Sequence, residues 1–269
     1  MQCLCIVARP RHRIPCAVAA LALVLVVAGC GGSSSSSSGG GGSTPTLTVS
    51  AAASLKDAFT TCAQSFKQAK LKFSFAGSDQ LAAQIRQGAS PNVFASANTK
   101  LPDQLAAEGK LSKPQVFAGN KLVIAVPRDS KITGLADLEK PGTSLVIGDA
   151  SVPIGSYTRE VLGRLPPAQE KAILANVKSE EPDVASIVGK LTQGAADAGF
   201  TYVSDVKGTK GQLKAVDLAA NLQPNVAYGA GIVKGTPNTK ESQAFIDDVI
   251  SGSCSKVMQQ NGFLPPPDA

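Results

Sequence analysis

Serines at the junctions between apolar strands and amphipathic helices are the residues of this 269-residue chain best placed to do chemistry. Ser54 follows the strand-like run 47–51 and opens a segment in which Leu55, Ala58, Phe59, Cys62 and Phe66 recur at helical spacing. Ser78 stands in the same relation to the alternating run 71–75 and to a helix marked by Leu81, Ala82 and Ile85. The segment 151–156 links an apolar run at 145–147 to a helix expected near Tyr157. Asp183 is an N-cap candidate for a helix carrying Val184, Ile187, Val188 and Leu191. A helix start offers unsatisfied N–H donors and about half a positive charge, so several converging starts make a cradle for an anion. Taken alone, either serine is more simply a helix cap.

Other chemistry finds less support. His12 is the only histidine, so a chain that loses its N-terminal segment loses the commonest general base and zinc ligand together. Ser253-Cys254-Ser255-Lys256 fits the Ser-x-x-Lys pattern of acylating serine hydrolases, but the companion Ser-Asp-Asn and Lys-Thr-Gly motifs are absent. Asp247 and Asp248 are adjacent, and neighbours on a helix diverge rather than share a metal. No Gly-rich nucleotide loop occurs. No enzyme activity, cofactor or directly bound metal is expected.

The elements that must position the serines follow a preamble. Arg9, Arg11 and Arg13 precede an apolar run at 17–28, shorter than the ~20 residues of a membrane span, and Val27-Ala28-Gly29-Cys30 closes it. This reads as a lipoprotein signal over 1–29 with Cys30 as the lipidated residue, a plain secretory cleavage being the alternative. Residues 30–46 form a Gly/Ser tether that would hold a domain roughly 20–25 Å from its anchor. The expected location is outside the cell membrane and anchored to it. Loss of 1–29 leaves 23 basic and 20 acidic residues, interleaved, so no nucleic-acid surface is expected. Cys62 and Cys254 would then be the only cysteines besides Cys30, and they are read as one disulfide or as two buried thiols.

Beyond the tether, apolar runs at 47–51, 71–75, 93–95, 122–126, 145–147 and 198–202 alternate with helical patterns, the last of them carrying Phe245, Ile246, Val249 and Ile250. Strands separated by helices predict an α/β fold with largely parallel sheets. In such sheets ligands sit beyond the carboxyl ends of the strands, where these helix starts lie.

The order of the junctions resembles the periplasmic molybdate-binding proteins of ABC transporters, the ModA family, in lipoprotein form. The matching segments are Val49-Ser50-Ala51-Ala52-Ala53-Ser54-Leu55, Phe75-Ala76-Gly77-Ser78-Asp79-Gln80-Leu81, Asn92-Val93-Phe94-Ala95-Ser96-Ala97-Asn98, Gly119-Asn120-Lys121, Val152-Pro153-Ile154-Gly155-Ser156-Tyr157, Glu181-Pro182-Asp183-Val184, Gly199-Phe200-Thr201-Tyr202 and Gln260-Asn261-Gly262-Phe263. The resemblance implies a two-lobed periplasmic binding protein fold of type II. One lobe would come from 47–125 plus 229–269 and the other from 126–228. It implies that Ser54 and Ser78 donate hydroxyl and N–H groups to molybdate or tungstate. Ile154 and Val184 would donate backbone N–H groups from their loops, and Tyr202 its phenol. Neutral donors suit a fully deprotonated dianion and leave a hydrogen phosphate proton without an acceptor. The protein would act as a monomer that delivers its ligand to an ABC transporter permease. The implied chain path lets Cys254 meet Cys62 in the first lobe. Asp79 is expected to point away from the ligand and to help cap its helix. Sulfate, phosphate or a ferric complex is the rival ligand class, and Tyr157, Tyr202 and Tyr228 are the only tyrosines a ferric site could draw on.

Overall fold

The computed structural model describes residues 44–267, so Cys30, the signal segment and most of the tether lie outside the described residues. In chain order the first elements are β1 (Thr46–Ala52), a 3-10 turn (Ala53–Leu55), α1 (Lys56–Ser65), β2 (Lys70–Ala76), α2 (Ser78–Arg86), β3 (Val93–Ser96), α3 (Lys100–Ala107) and β4 (Gln115–Asn120). Next come β5 (Leu122–Pro127), α4 (Leu135–Leu138), β6 (Leu145–Gly148), α5 (Pro153–Leu162), α6 (Pro167–Ala175), β7 (Val177–Glu181), α7 (Val184–Thr192), β8 (Ala198–Tyr202), α8 (Val203–Gly208) and β9 (Leu213–Asp217). The chain closes with β10 (Val226–Ile232), α9 (Thr239–Ser251) and α10 (Ser253–Gln260).

The strands form two five-stranded sheets, ordered β2-β1-β3-β10-β4 and β7-β6-β8-β5-β9. In the first, β2, β1 and β3 are parallel while β10 runs antiparallel to both β3 and β4, so β10 alone is reversed. The second repeats the plan with β5 as the reversed strand. The fold is therefore the expected two-lobed α/β arrangement with mostly parallel sheets. Each reversed strand is the first that the chain forms after it changes lobe. Because β5 lies wholly in the second sheet and β10 wholly in the first, the crossings fall at Lys121 and between Asp217 and Val226. Boundaries at 125/126 and 228/229 would have cut both strands, and a ladder of hydrogen bonds cannot be shared between two sheets.

Burial follows the apolar pattern. Residues 122–126 of β5 are fully buried on both faces, as expected of a central strand covered by helices. In the first lobe Phe59 on α1 meets Phe245 on α9 edge-on, with ring centroids 5.4 Å apart. Cys62 and Cys254, both without solvent contact, form a disulfide that ties α1 to α10. The C-terminal helices are thereby fixed to the lobe that begins the chain. Among the described residues no helix is long and apolar enough to cross a membrane.

Candidate functional site

A small cavity of about 20 Å³ lies between the lobes, at the carboxyl ends of their strands. That exceeds the ~10–15 Å³ a single water requires. The first lobe lines it with Ser54, Gly77, Ser78 and small alanines, and the second with Val152, Pro153, Ile154, Asp183, Val184 and Tyr202. All five residues singled out as ligand donors thus lie on one cavity. Among the described residues no Lys, Arg or His lines it.

Local sequence explains each placement. Ala53–Leu55 is a 3-10 turn rather than the first turn of α1, which leaves Ser54 at a bend facing the cleft. Ser78 is the first residue of α2, with Gly77 as N-cap. Its hydroxyl oxygen accepts the Ala97 N–H at 3.1 Å, so its proton is free to turn to the cavity. Helix α5 begins at Pro153, four residues earlier than the expected start near Tyr157, because proline with its fixed φ suits the first helical position. Ile154 therefore offers its N–H from a first helical turn, not from a loop, and Val184 does so as the first residue of α7. Asp183 caps α7 as expected, its carboxylate accepting the Ser186 N–H at 2.8 Å and the Ser186 hydroxyl at 2.9 Å. That carboxylate lines the cavity but is committed to its helix.

Tyr202 is the most telling member. Its ring is 1% exposed and its hydroxyl has no hydrogen-bond partner among the described residues. A stranded buried hydroxyl costs about 1–3 kcal/mol, so its place on a cavity wall marks a position where an acceptor belongs. Burial pushes the Tyr202 and Tyr228 phenols well above their ordinary value, and Tyr157 up to about 12. All three stay protonated, which suits hydrogen-bond donation.

Asp79 departs from expectation in one respect. It does not line the cavity, but it makes no capping bond to α2, and its Oδ1 is buried without a partner. The Ser253 hydroxyl is exposed and bonded to the Asp248 carboxylate at 3.1 Å, so the Ser-x-x-Lys segment is a helix start remote from the cavity.

The sequence reading missed Tyr228, Asn120 and Asp205, which stand behind the cavity. Asp205 accepts the Tyr202 N–H at 3.0 Å and so fixes the start of α8. Burial pushes its carboxyl up to about 7, against the pull of that bond, and the Asp57 and Asp183 carboxylates add to the rise. Folding therefore takes up a proton between the ordinary 3.8 and about 7, and the contribution of Asp205 to stability falls as pH rises through that window. Asp205→Asn keeps an acceptor for Tyr202 and removes the charge. It is expected to gain on the order of 1–2 kcal/mol at pH 8, a figure reduced for residual solvent contact, and nothing at pH 4. Thermal melts of both proteins from pH 4 to 8 check this, and parallel profiles would refute it.

With that geometry in place, the likeness to known proteins is informative. A family model described as bacterial extracellular solute-binding protein matches residues 47–264. The molybdate-binding protein ModA of Mycobacterium tuberculosis is 35% identical over 223 residues, covering 80% of this chain and 83% of its own. ModA of Escherichia coli is 29% identical over 228 residues, covering 79% and 86%. The periplasmic molybdate-binding protein of Azotobacter vinelandii superposes with a TM-score of 0.74 at 21% identity, covering 82% of this chain and all of that one. The sulfate-binding protein SubI of Mycobacterium tuberculosis superposes almost as well, with a TM-score of 0.72 at 15% identity over 82% and 87%. The fold alone is therefore neutral between these two oxyanions. These relatives are binding proteins, not enzymes.

Proposed function

The chain belongs to the family of bacterial extracellular solute-binding proteins, and from that premise we propose that it captures molybdate, and tungstate with it, for an ABC transporter permease. The observation that carries this reading is the unpartnered Tyr202 hydroxyl, which shares a cavity with two serines and two helix starts and with no cation. Ser54, Ser78, Tyr202 and the N–H groups of Ile154 and Val184 are the donor set. All five come from one chain, so a monomer suffices. A dianion held by neutral donors carries no fixed countercharge that would favour any anion of the right charge. Selection then rests on radius and on proton content: sulfate is smaller, and hydrogen phosphate brings a proton that hydroxyls and N–H groups turned to donate do not meet with a lone pair. Cys30, with the signal before it and the tether after it, would anchor the protein to the outer face of the membrane.

Calorimetric titration of the purified protein with molybdate, tungstate, sulfate and phosphate tests the reading. The expected result is tight binding of the first two and at least about a hundredfold weaker binding of the others. Equal binding of all four, or of none, would refute it, and a preference for sulfate would transfer the site to the other oxyanion class.

A further inference from the structure

The hydrogen bond between Ser54 and Tyr228 looks symmetric at first, since two hydroxyls 3.0 Å apart can donate either way. Its direction matters, because it decides whether Ser54 offers the cavity a proton or a lone pair. The surroundings settle it. Asn120 lies at the crossing between the lobes, and its Oδ1 accepts the Lys121 N–H at 2.8 Å. That bond fixes which end of the amide is nitrogen, since the reverse would set two donors against each other. The Nδ2 then donates to the Ser204 hydroxyl of α8 at 2.8 Å and to the Tyr228 hydroxyl at 3.4 Å. Tyr228 has no solvent contact, and its oxygen already receives a proton from Asn120. Were Ser54 also to donate to it, the phenolic proton would be stranded in the interior. The arrangement that gives every proton a destination runs from Asn120 to Tyr228 to Ser54, and leaves the Ser54 proton for the cavity.

We propose that Tyr228, held by Asn120, is a specificity-determining positioning residue: it donates to the Ser54 oxygen and so turns the Ser54 proton toward the cavity. Ser78 is committed the same way by a different group, the Ala97 N–H. Each serine oxygen thus accepts a bond from behind, which biases its hydroxyl to meet the anion with its proton rather than with its remaining lone pair. The inference rests on the functional reading above and adds where its proton discrimination comes from. It also ties discrimination to lobe closure, because Asn120 grips Ser204 in the second lobe and Tyr228 in the first with one amide group.

Tyr228→Phe keeps the ring and its edge-on packing against Phe117, Tyr202 and Phe263 while removing the hydroxyl. Molybdate affinity is expected to fall about tenfold. The preference for molybdate over phosphate at pH 6 is expected to shrink by more than the affinity does, because Ser54, no longer held by Tyr228, can turn a lone pair to a protonated anion. In a Ser54→Ala background the same substitution should change molybdate affinity less than about twofold, since the two residues act as one unit. A purely structural role for Tyr228 would instead weaken both anions equally and add to the Ser54→Ala loss, and that result overturns the proposal. So does a Tyr228→Phe protein indistinguishable from wild type. Asn120→Ala carries the same comparison if Tyr228→Phe does not fold, with the same loss of preference expected only while Ser54 is present. A wild-type protein that binds neither molybdate nor phosphate would overturn both this inference and the functional reading. Molybdate binding with an inert Tyr228→Phe would overturn this one alone.

Discussion

Replacing Cys62 and Cys254 together by alanine is expected to cost the protein about 5 kcal/mol of unfolding free energy and to lower its melting temperature by roughly 10–20 °C. The bridge closes a loop with a sequence separation of 192 residues, which spans the second lobe entirely. On the chain-entropy account, a crosslink stabilises by removing freedom from the unfolded chain, and the gain grows with the logarithm of the loop. Both sulfurs are buried where α1 meets α10, so the alanines also lose some packing. Anion binding at low temperature should survive, because Ser54 is held by Tyr228 and by the 3-10 turn and not by the bridge. Guanidinium unfolding of the two proteins checks the figure. A loss below about 1 kcal/mol would mean that the bridge carries native strain equal to its benefit, or that the thiols do not pair.

The parts of the fold legible in the sequence were those with unbroken apolar runs. Residues 122–126 announce a strand because both faces of a central strand are buried and no polar residue interrupts them, and in 198–202 the polar side chains, Thr201 and Tyr202, are buried too. Four strands gave no such sign. β7 reads Val-Lys-Ser-Glu-Glu at the edge of the second sheet, where exposure permits charge at alternate positions. β9, at the other edge, alternates in the same way. β4 ends in Gly-Asn, while β10 carries Gly229 and Gly231, residues poor in strand propensity. Gly231 is there because an added methyl would meet Leu111 at 2.7 Å, a packing reason invisible to a propensity argument. Missing β10 also hid Tyr228, and with it the partner of Ser54.

The site was legible to a different extent, and for a different reason. The five candidate donors sit at helix starts, where serine or aspartate after a strand carries a signal of its own for Ser54, Ser78 and the cap of Val184, whereas Ile154, Val184 and Tyr202 were named only through the family resemblance. What stands behind them is not local. Asn120 is 84 residues from Ser204 and 108 from Tyr228, and no spacing rule connects positions so far apart. The pattern of one lobe repeated in the other, β2-β1-β3-β10-β4 against β7-β6-β8-β5-β9, explains why helix starts from both halves converge on one point. Each sheet aims the carboxyl ends of its strands into the shared cleft, and the cradle needs both.

That dependence on both lobes makes Gly77 the most sensitive backbone position in the cleft. A methyl group at Gly77 would lie 2.5 Å from the Pro182 carbonyl oxygen, across the interface between α2 and the turn that precedes α7. The backbone at Gly77, with φ −57° and ψ 136°, is one any residue adopts, so alanine adds no local strain. The collision exists only while the lobes are closed. Asp79 Oδ1, at 2.7 Å, is a side-chain tip that can swing aside, but the Pro182 carbonyl cannot retreat without moving Asp183 and the Val184 N–H that faces the cavity. Gly77→Ala is therefore expected to weaken anion binding by a hundredfold or more, about 3 kcal/mol, while leaving the melting temperature of the free protein nearly unchanged. Gly208→Ala is the matched control. Its methyl group would also meet the opposite lobe, but there the nearest atom, at 2.8 Å, is the carboxylate tip of Asp57, which can rotate away. Calorimetry on the two variants, with small-angle scattering to follow contraction on adding molybdate, separates the outcomes. Wild-type affinity in Gly77→Ala would mean that binding does not need this closure, whereas loss in both variants would point to a cleft intolerant of any added bulk.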